Sequence, residues 1–154
     1  MFKSFMQRAL TEARAAAHRG EVPVGAVLIS PQGDMIAAAG NRNRELNDPT
    51  AHAEILVIRE GCRQQSTDRL NGYDLYVTLE PCAMCAAAIA IARIARLYFG
   101  AEDPKSGGVV HGVKVFSHPQ IHHCPEVYGE IGGETSAALL RTFFADRRGS
   151  SKCE

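Results

Sequence analysis

The chain has 154 residues, of which 45% are apolar and 22% charged, and its formal net charge is zero. That length suits one domain with a sizeable core, and the composition excludes a disordered, collagen-like or coiled-coil chain. A neutral balance gives no support to binding nucleic acid through overall charge, and no apolar run is long enough to span a bilayer.

Ser4 to about Arg19 reads as an amphipathic helix, because Phe5, Met6, Ala9, Leu10, Ala13 and Ala17 recur at three and four residues. Ser4 and Gln7 have capping-box spacing, and Gly20 suits the helix end. Lys3, Arg8 and Glu12 interrupt any signal-peptide apolar core, so the expected location is cytoplasmic. Val24–Ile29 and Met35–Ala39 read as a β-hairpin around the turn Pro31-Gln32-Gly33-Asp34. Gly25 inside the first strand marks either a bulge or close approach of another group, or is a tolerated strand glycine.

Asn41 to Thr50 is a polar loop, with Thr50 expected to cap a helix over about 51–59 that stops at Gly61. Gln64 to Asn71 is a second polar connection. Tyr73 to Leu79 alternates like a strand, and Glu80-Pro81 leads into an alanine-rich helix over 82–94. Arg96–Phe99 reads as a strand closed by Gly100, parallel to the strand before the helix. A loop over 101–112 follows; Val113–Phe116 suits strand or helix, Val127–Ile131 a short strand, and Glu134–Arg147 a helix. The residues 149–154 read as a frayed tail. This order predicts an α/β domain built on a mixed sheet.

Five cysteines, Cys62, Cys82, Cys85, Cys124 and Cys153, are an odd number in a chain with no export signal. That argues for metal ligation plus bystander thiols rather than a disulfide framework. Cys82 and Cys85 are three apart at the start of a helix, so their thiols face the same way, where a helix N-terminus favours thiolates. His52, at the start of another helix, offers a third ligand. Three protein ligands leave one position for water, which zinc can ionise near neutral pH, whereas a structural site closes with four. His123 or Cys124 would be the candidates for a fourth ligand. Glu54 lies two residues beyond His52, so both serve one centre only if it sits off the helix end. Glu54 then carries protons rather than binding metal; alternatively it is simply a favourable acid in a first helical turn.

His52-Ala53-Glu54 joined to Pro81-Cys82-Ala83-Met84-Cys85 has the H-x-E and P-C-x-x-C pattern of zinc-dependent nucleobase deaminases. Beyond that pattern, Glu21–Val27, Asn41-Arg42, Asp48–Ile55, Leu75–Cys82, Phe99-Gly100-Ala101, Asp103, Lys105 and the Phe143-Phe144 and Arg147-Arg148 end resemble the bacterial tRNA-specific adenosine deaminases. Ala86-Ala87-Ala88 and the segment 107–121 depart from that family. The resemblance implies a three-layer cytidine-deaminase-like fold, with a mixed central sheet flanked by helices on both faces, in a single zinc-dependent deaminase domain over 1–148. It implies one Zn2+ per subunit on His52, Cys82 and Cys85, a homodimer, and deamination of the wobble adenosine in a tRNA anticodon stem-loop with Glu54 as the catalytic acid and base.

By the same resemblance Asn41 and the Ala53 backbone would contact the base, and Val24 and Leu79 would wall it. Asp103 and Lys105 would touch neighbouring nucleotides, and Arg147 or Arg148 the phosphates. Against these stand plainer readings: Asn41 as a loop polar, Val24 and Leu79 as core, and Lys105, Arg147 and Arg148 as solvated charge. Adjacent Phe143 and Phe144 cannot both face the core, and His118, His122 and His123 read as loop polars. Two other functions compete: a free-base or nucleoside deaminase of guanine or cytosine type, and a non-catalytic zinc module that only binds RNA. Val77-Thr78-Leu79-Glu80 and the Asp103-x-Lys105 loop favour tRNA over a free base, and the presence of Glu54 speaks against a non-catalytic module.

Overall fold

The computed structural model describes residues 4–150, with side chains through residue 147. In chain order the elements are α1 (Met6–His18), β1 (Gly25–Ile29), β2 (Met35–Gly40), α2 (Ala53–Gln65), β3 (Asp74–Leu79), α3 (Ala83–Ile91), β4 (Arg96–Ala101), β5 (Glu126–Tyr128) and α4 (Gly133–Ser150). The strands form one sheet in the order β2-β1-β3-β4-β5. β1 runs antiparallel to both β2 and β3, while β3, β4 and β5 are parallel, so the sheet is mixed as expected.

Strand alternation builds the three layers. Leu28, Leu75, Val77, Leu97 and Phe99 point to one face and pack with Ala53 and Val57 of α2 and with Ala86 and Ile89 of α3. Val27, Ile29, Tyr76 and Tyr98 point to the other face and meet Met6, Ala9 and Leu10 of α1, with Leu139 of α4 beside them. On that second face three tyrosines from neighbouring strands stack, Tyr76 on Tyr98 at 4.4 Å and Tyr98 on Tyr128 at 5.1 Å between ring centroids.

Several boundaries differ from the sequence reading. Thr50 does not cap α2, because its N–H and hydroxyl both donate to Asp48 Oδ1. His52 is the N-cap instead, and α2 runs through Gly61 to Gln65, closing at Ser66 in the left-handed region. Gly61 is needed inside the helix because a Cβ there would lie 2.3 Å from Leu28 Cδ2. Cys82 is the N-cap of α3, so Pro81 precedes the helix, and Arg93 at φ 66° follows its end. Gly100 lies within β4 rather than closing it, and Val115–Ser117 is a single 3-10 turn. α4 continues through Gly149 and Ser150, beyond the helix end expected from spacing. The residues 151–154, Cys153 among them, and the Arg148 side chain lie outside the described residues.

Gly25 owes its identity to close approach and not to a bulge, which falls between Leu28 and Ile29. A Cβ at Gly25 would lie 2.0 Å from Ala9 O and 2.6 Å from Ala13 N of α1. Backbone atoms cannot rotate away as a side chain can, so Gly25→Ala should destabilise the fold by about 3 kcal/mol, read as a lower denaturant midpoint.

Candidate active site

α2 and α3 both start at the end of the sheet where β3 stops, and both are capped by a chemically active residue. His52 (ψ 151°) and Cys82 (ψ 173°) are extended N-caps, which projects their side chains past the helix ends rather than along the helix sides. Cys85 follows in the first turn of α3. The Sγ atoms of Cys82 and Cys85 lie 3.6 and 3.4 Å from His52 Nδ1. All three ligand atoms fall within 4.8 Å of one another, the one such cluster among the described residues. One nitrogen and two sulfurs in this arrangement fit zinc.

The electrostatics favour a cation. Hydrogen bonding with Cys85 and His52 holds the Cys82 thiol down to about 4, despite its partial burial. Cys85 is pushed strongly upward by its bond to Cys82 and by burial, so its proton leaves when a metal takes its place. His52 is raised chiefly by its hydrogen bond with Cys82. Glu54 is 3% exposed, and burial raises its carboxyl above the usual range. Its Oε1 has no hydrogen-bond partner among the described residues, an acceptor left for a water or a substrate beside the cluster.

A cavity of about 260 Å³ opens at this point, lined by Val22, Val24, Asn41, His52, Glu54, Leu79 and Glu80 among others. Val24 and Leu79 therefore wall the cavity, and Val24 is also buried. Asn41 is held by accepting the Ala53 N–H on Oδ1 at 2.8 Å, which commits its oxygen and leaves its amide NH2 as the donor for a ligand. Ala53 is fully buried, and its N–H is already taken by this bond. Asp103 lies at the rim, where Oδ1 accepts the Lys105 and Ser106 N–H groups and shapes the turn.

The cavity shares Val22, Leu79, Asp103 and Ser106 with a larger groove of about 870 Å³ that continues to Lys105, Leu140, Phe144 and Arg147. Arg147 donates to Gly20 O at the end of α1 and stacks its guanidinium over Phe143, 4.6 Å from the ring centroid. Phe143 is half-buried under Arg147 rather than part of the core, and Phe144 is 42% exposed in the groove. His123 donates to or accepts no metal ligand; its Nε2 lies 2.7 Å from Ile94 O, and Cys124 Sγ donates to Phe116 O, so neither joins the cluster.

Residues 2–101 match the family described as the cytidine and deoxycytidylate deaminase zinc-binding region. The tRNA-specific adenosine deaminase of Agrobacterium fabrum is 59% identical over 144 residues, covering 94% of this chain and 94% of that protein. The chain belongs to the tRNA-specific adenosine deaminase family. The Aquifex aeolicus member is 48% identical over 94% of this chain and 94% of its own length. A solved structure from studies of A-to-I editing by tRNA:A34 deaminases superposes with a TM-score of 0.87 at 60% identity, covering 88% of this chain and 98% of that one. The three-layer α/β architecture is the cytidine-deaminase-like fold of that family. A guanine deaminase from Nitrosomonas europaea shares the fold, at a TM-score of 0.78 and 22% identity over 91% of this chain and 82% of that one.

The sequence assigned no role to two carboxylates that the fold buries. Glu21, next to the cavity-lining Val22, and Glu80, in the cavity lining, are each 2% exposed and accept backbone N–H groups from neighbouring loops. Their signal in the sequence was a charged residue set between apolar or proline neighbours, which spacing alone does not distinguish from a surface acid.

Because Cys85 and His52 hold protons that a metal must displace, zinc affinity should rise with pH. Between about pH 6 and pH 8 the apparent constant should climb about tenfold per pH unit for each proton released. Calorimetric zinc titration of metal-stripped protein in buffers of different ionisation enthalpy measures that number.

Proposed function

We propose that this chain hydrolyses adenosine to inosine at the wobble position of a tRNA anticodon. The observation that carries the reading is a small cavity beside Glu54 that opens straight into a long groove. A flipped base would occupy the cavity, and the flanking nucleotides would run along the groove. A free-base enzyme has no use for such a groove. The names of the relatives support the same reading.

His52, Cys82 and Cys85 would hold one zinc ion per chain, which when bound supplies activation of water as a nucleophile. Glu54 does the proton work. It takes a proton from the attacking water and passes it to N1 of the adenine as the water oxygen joins C6. It then delivers the second proton to the exocyclic nitrogen, and the C6–N bond breaks to release ammonia. Burial suits Glu54 to this double role, since it raises the carboxyl and so favours holding a proton between the two transfers.

The Asn41 amide would bond the base, with the Ala53 N–H fixing that amide in place. Val24 and Leu79 would hold the purine between apolar walls. Asp103 and Lys105 would meet the neighbouring nucleotides. Phe144 would offer a stacking face in the groove, with Arg147 and Arg148 toward the phosphates. We also place two copies together as a homodimer. Met84, Ile91 and Val113 are 37%, 74% and 69% exposed, apolar side chains on α3 and in the loop after β4 that a second copy would cover. No helix among the described residues is long and apolar enough to cross a membrane.

Incubation with a tRNA anticodon stem-loop bearing a wobble adenosine should yield inosine, detected by nucleoside chromatography. Ammonia from guanine or cytosine with no inosine in the RNA would overturn the assignment. Glu54→Ala should lower turnover by about 10³-fold while the zinc content per chain stays unchanged. Asn41→Ala should weaken substrate use by about 10-fold or more, the cost of one base hydrogen bond together with the freed Ala53 N–H.

A further inference from the structure

One buried side chain beside the cavity ties the groove wall together. Glu80 follows the last residue of β3, and its side chain is fully buried. Its Oε1 accepts the Asp103 N–H at 3.0 Å. Its Oε2 accepts the N–H groups of Val109, Val110 and His111 at 3.1, 3.0 and 3.1 Å. A single carboxylate thus gathers both ends of the segment 103–111, which otherwise carries no strand or helix.

The fit around this carboxylate is tight. A Cβ at Gly107 would lie 2.4 Å from Glu80 Oε2 and 2.5 Å from Asp103 O. The segment is stitched down further where Gly108 N–H donates to Pro81 O and Gly107 bridges to Cys82. His111 Nε2 stands 3.9 Å from Glu80 Oε1 and 3.3 Å from Glu102 Oε2 at the outer edge. What the carboxylate organises is the wall that presents Asp103 and Ser106 to both the cavity and the groove and Lys105 to the groove. His52, Glu54 and Cys85 stand on α2 and α3 and not on this segment.

We propose that Glu80 is a positioning residue for RNA, holding the 103–111 wall in the shape that receives the nucleotides flanking the target base. A carboxylate is required because all four partners are donors. An amide at the same place offers one acceptor oxygen and turns an NH2 toward N–H groups. The loss therefore falls on recognition of a long substrate and not on the proton chemistry at Glu54. This inference rests on the RNA-deaminase reading for its substrate, and on the hydrogen bonds alone for the clamp.

Two measurements on the zinc-loaded protein test it. In hydrogen exchange, Glu80→Gln should speed exchange of the Asp103, Val109, Val110 and His111 amides while the α2 and α3 amides keep their protection. In steady-state kinetics on a wobble-adenosine stem-loop, KM should rise by about tenfold or more, as expected for an unmade buried charge-assisted bond, with kcat and zinc content close to the wild type. Should Glu80→Gln fail to fold, Glu80→Asp, which keeps the charge and shortens the reach, is read for the same split. Unchanged exchange in the segment, or a fall confined to kcat with KM unmoved, overturns the proposal. If the wild-type protein makes no inosine in any RNA, the substrate reading fails, and the exchange measurement still decides the clamp.

Discussion

Two helix N-termini meeting at one point is the arrangement on which the rest of this structure depends. A helix start exposes unpaired N–H groups and the positive end of its dipole, and it ordinarily takes a side-chain oxygen as its cap. Here the cap positions of α2 and α3 go to His52 and Cys82, and neither makes a side-chain capping bond. Thiolate charge from Cys82 meets the positive end of α3, which stabilises the charge before any cation arrives. The sheet makes the meeting possible. β1 and β3 lie side by side under α2 and α3, so the two helices start at one edge and their first turns converge.

Around that fixed centre the substrate walls are held by a different device. Loops cannot satisfy their own backbone, and a loop beside a cavity cannot rely on water throughout. Glu21 accepts the N–H groups of Arg44 and Glu45 on one side, and Glu80 those of the segment 103–111 on the other. Each is an anion buried among donors, a favourable setting because charge-assisted bonds outweigh neutral ones. Glu54, the proposed catalytic acid, differs in that its Oε1 has no hydrogen-bond partner among the described residues. The same residue type is thus quenched by hydrogen bonds where it holds a loop and left with an open acceptor beside the metal-ligating cluster.

The sequence carried the centre more plainly than its surroundings. Strand alternation from Leu75 to Leu79 and the helical spacing of α1 come from local periodicity, so the layers were legible. The clustering of His52, Cys82 and Cys85 was legible because a zinc site demands particular atoms at particular spacing. Helix starts were less so: Thr50 looks like a cap until Asp48 claims it, and the true cap at His52 has no propensity for the role. Gly61 reads as a stop in one dimension and proves to be a space-saver against Leu28 in three. Glu80 was opaque for a related reason, since its partners lie 23 to 31 residues away.

The tyrosine stack has a consequence for how the molecule can be watched. Tyr76, Tyr98 and Tyr128 lie against the α1 side of the sheet, while the thiols and imidazole belong to the α2 and α3 side. The chain has no tryptophan and only four tyrosines, so its near-ultraviolet circular dichroism arises largely from three coupled rings. That optical signal reports the packing of one layer, and ligand exchange at the opposite layer leaves it in place. The two faces of the sheet are, in effect, separately observable within one small chain.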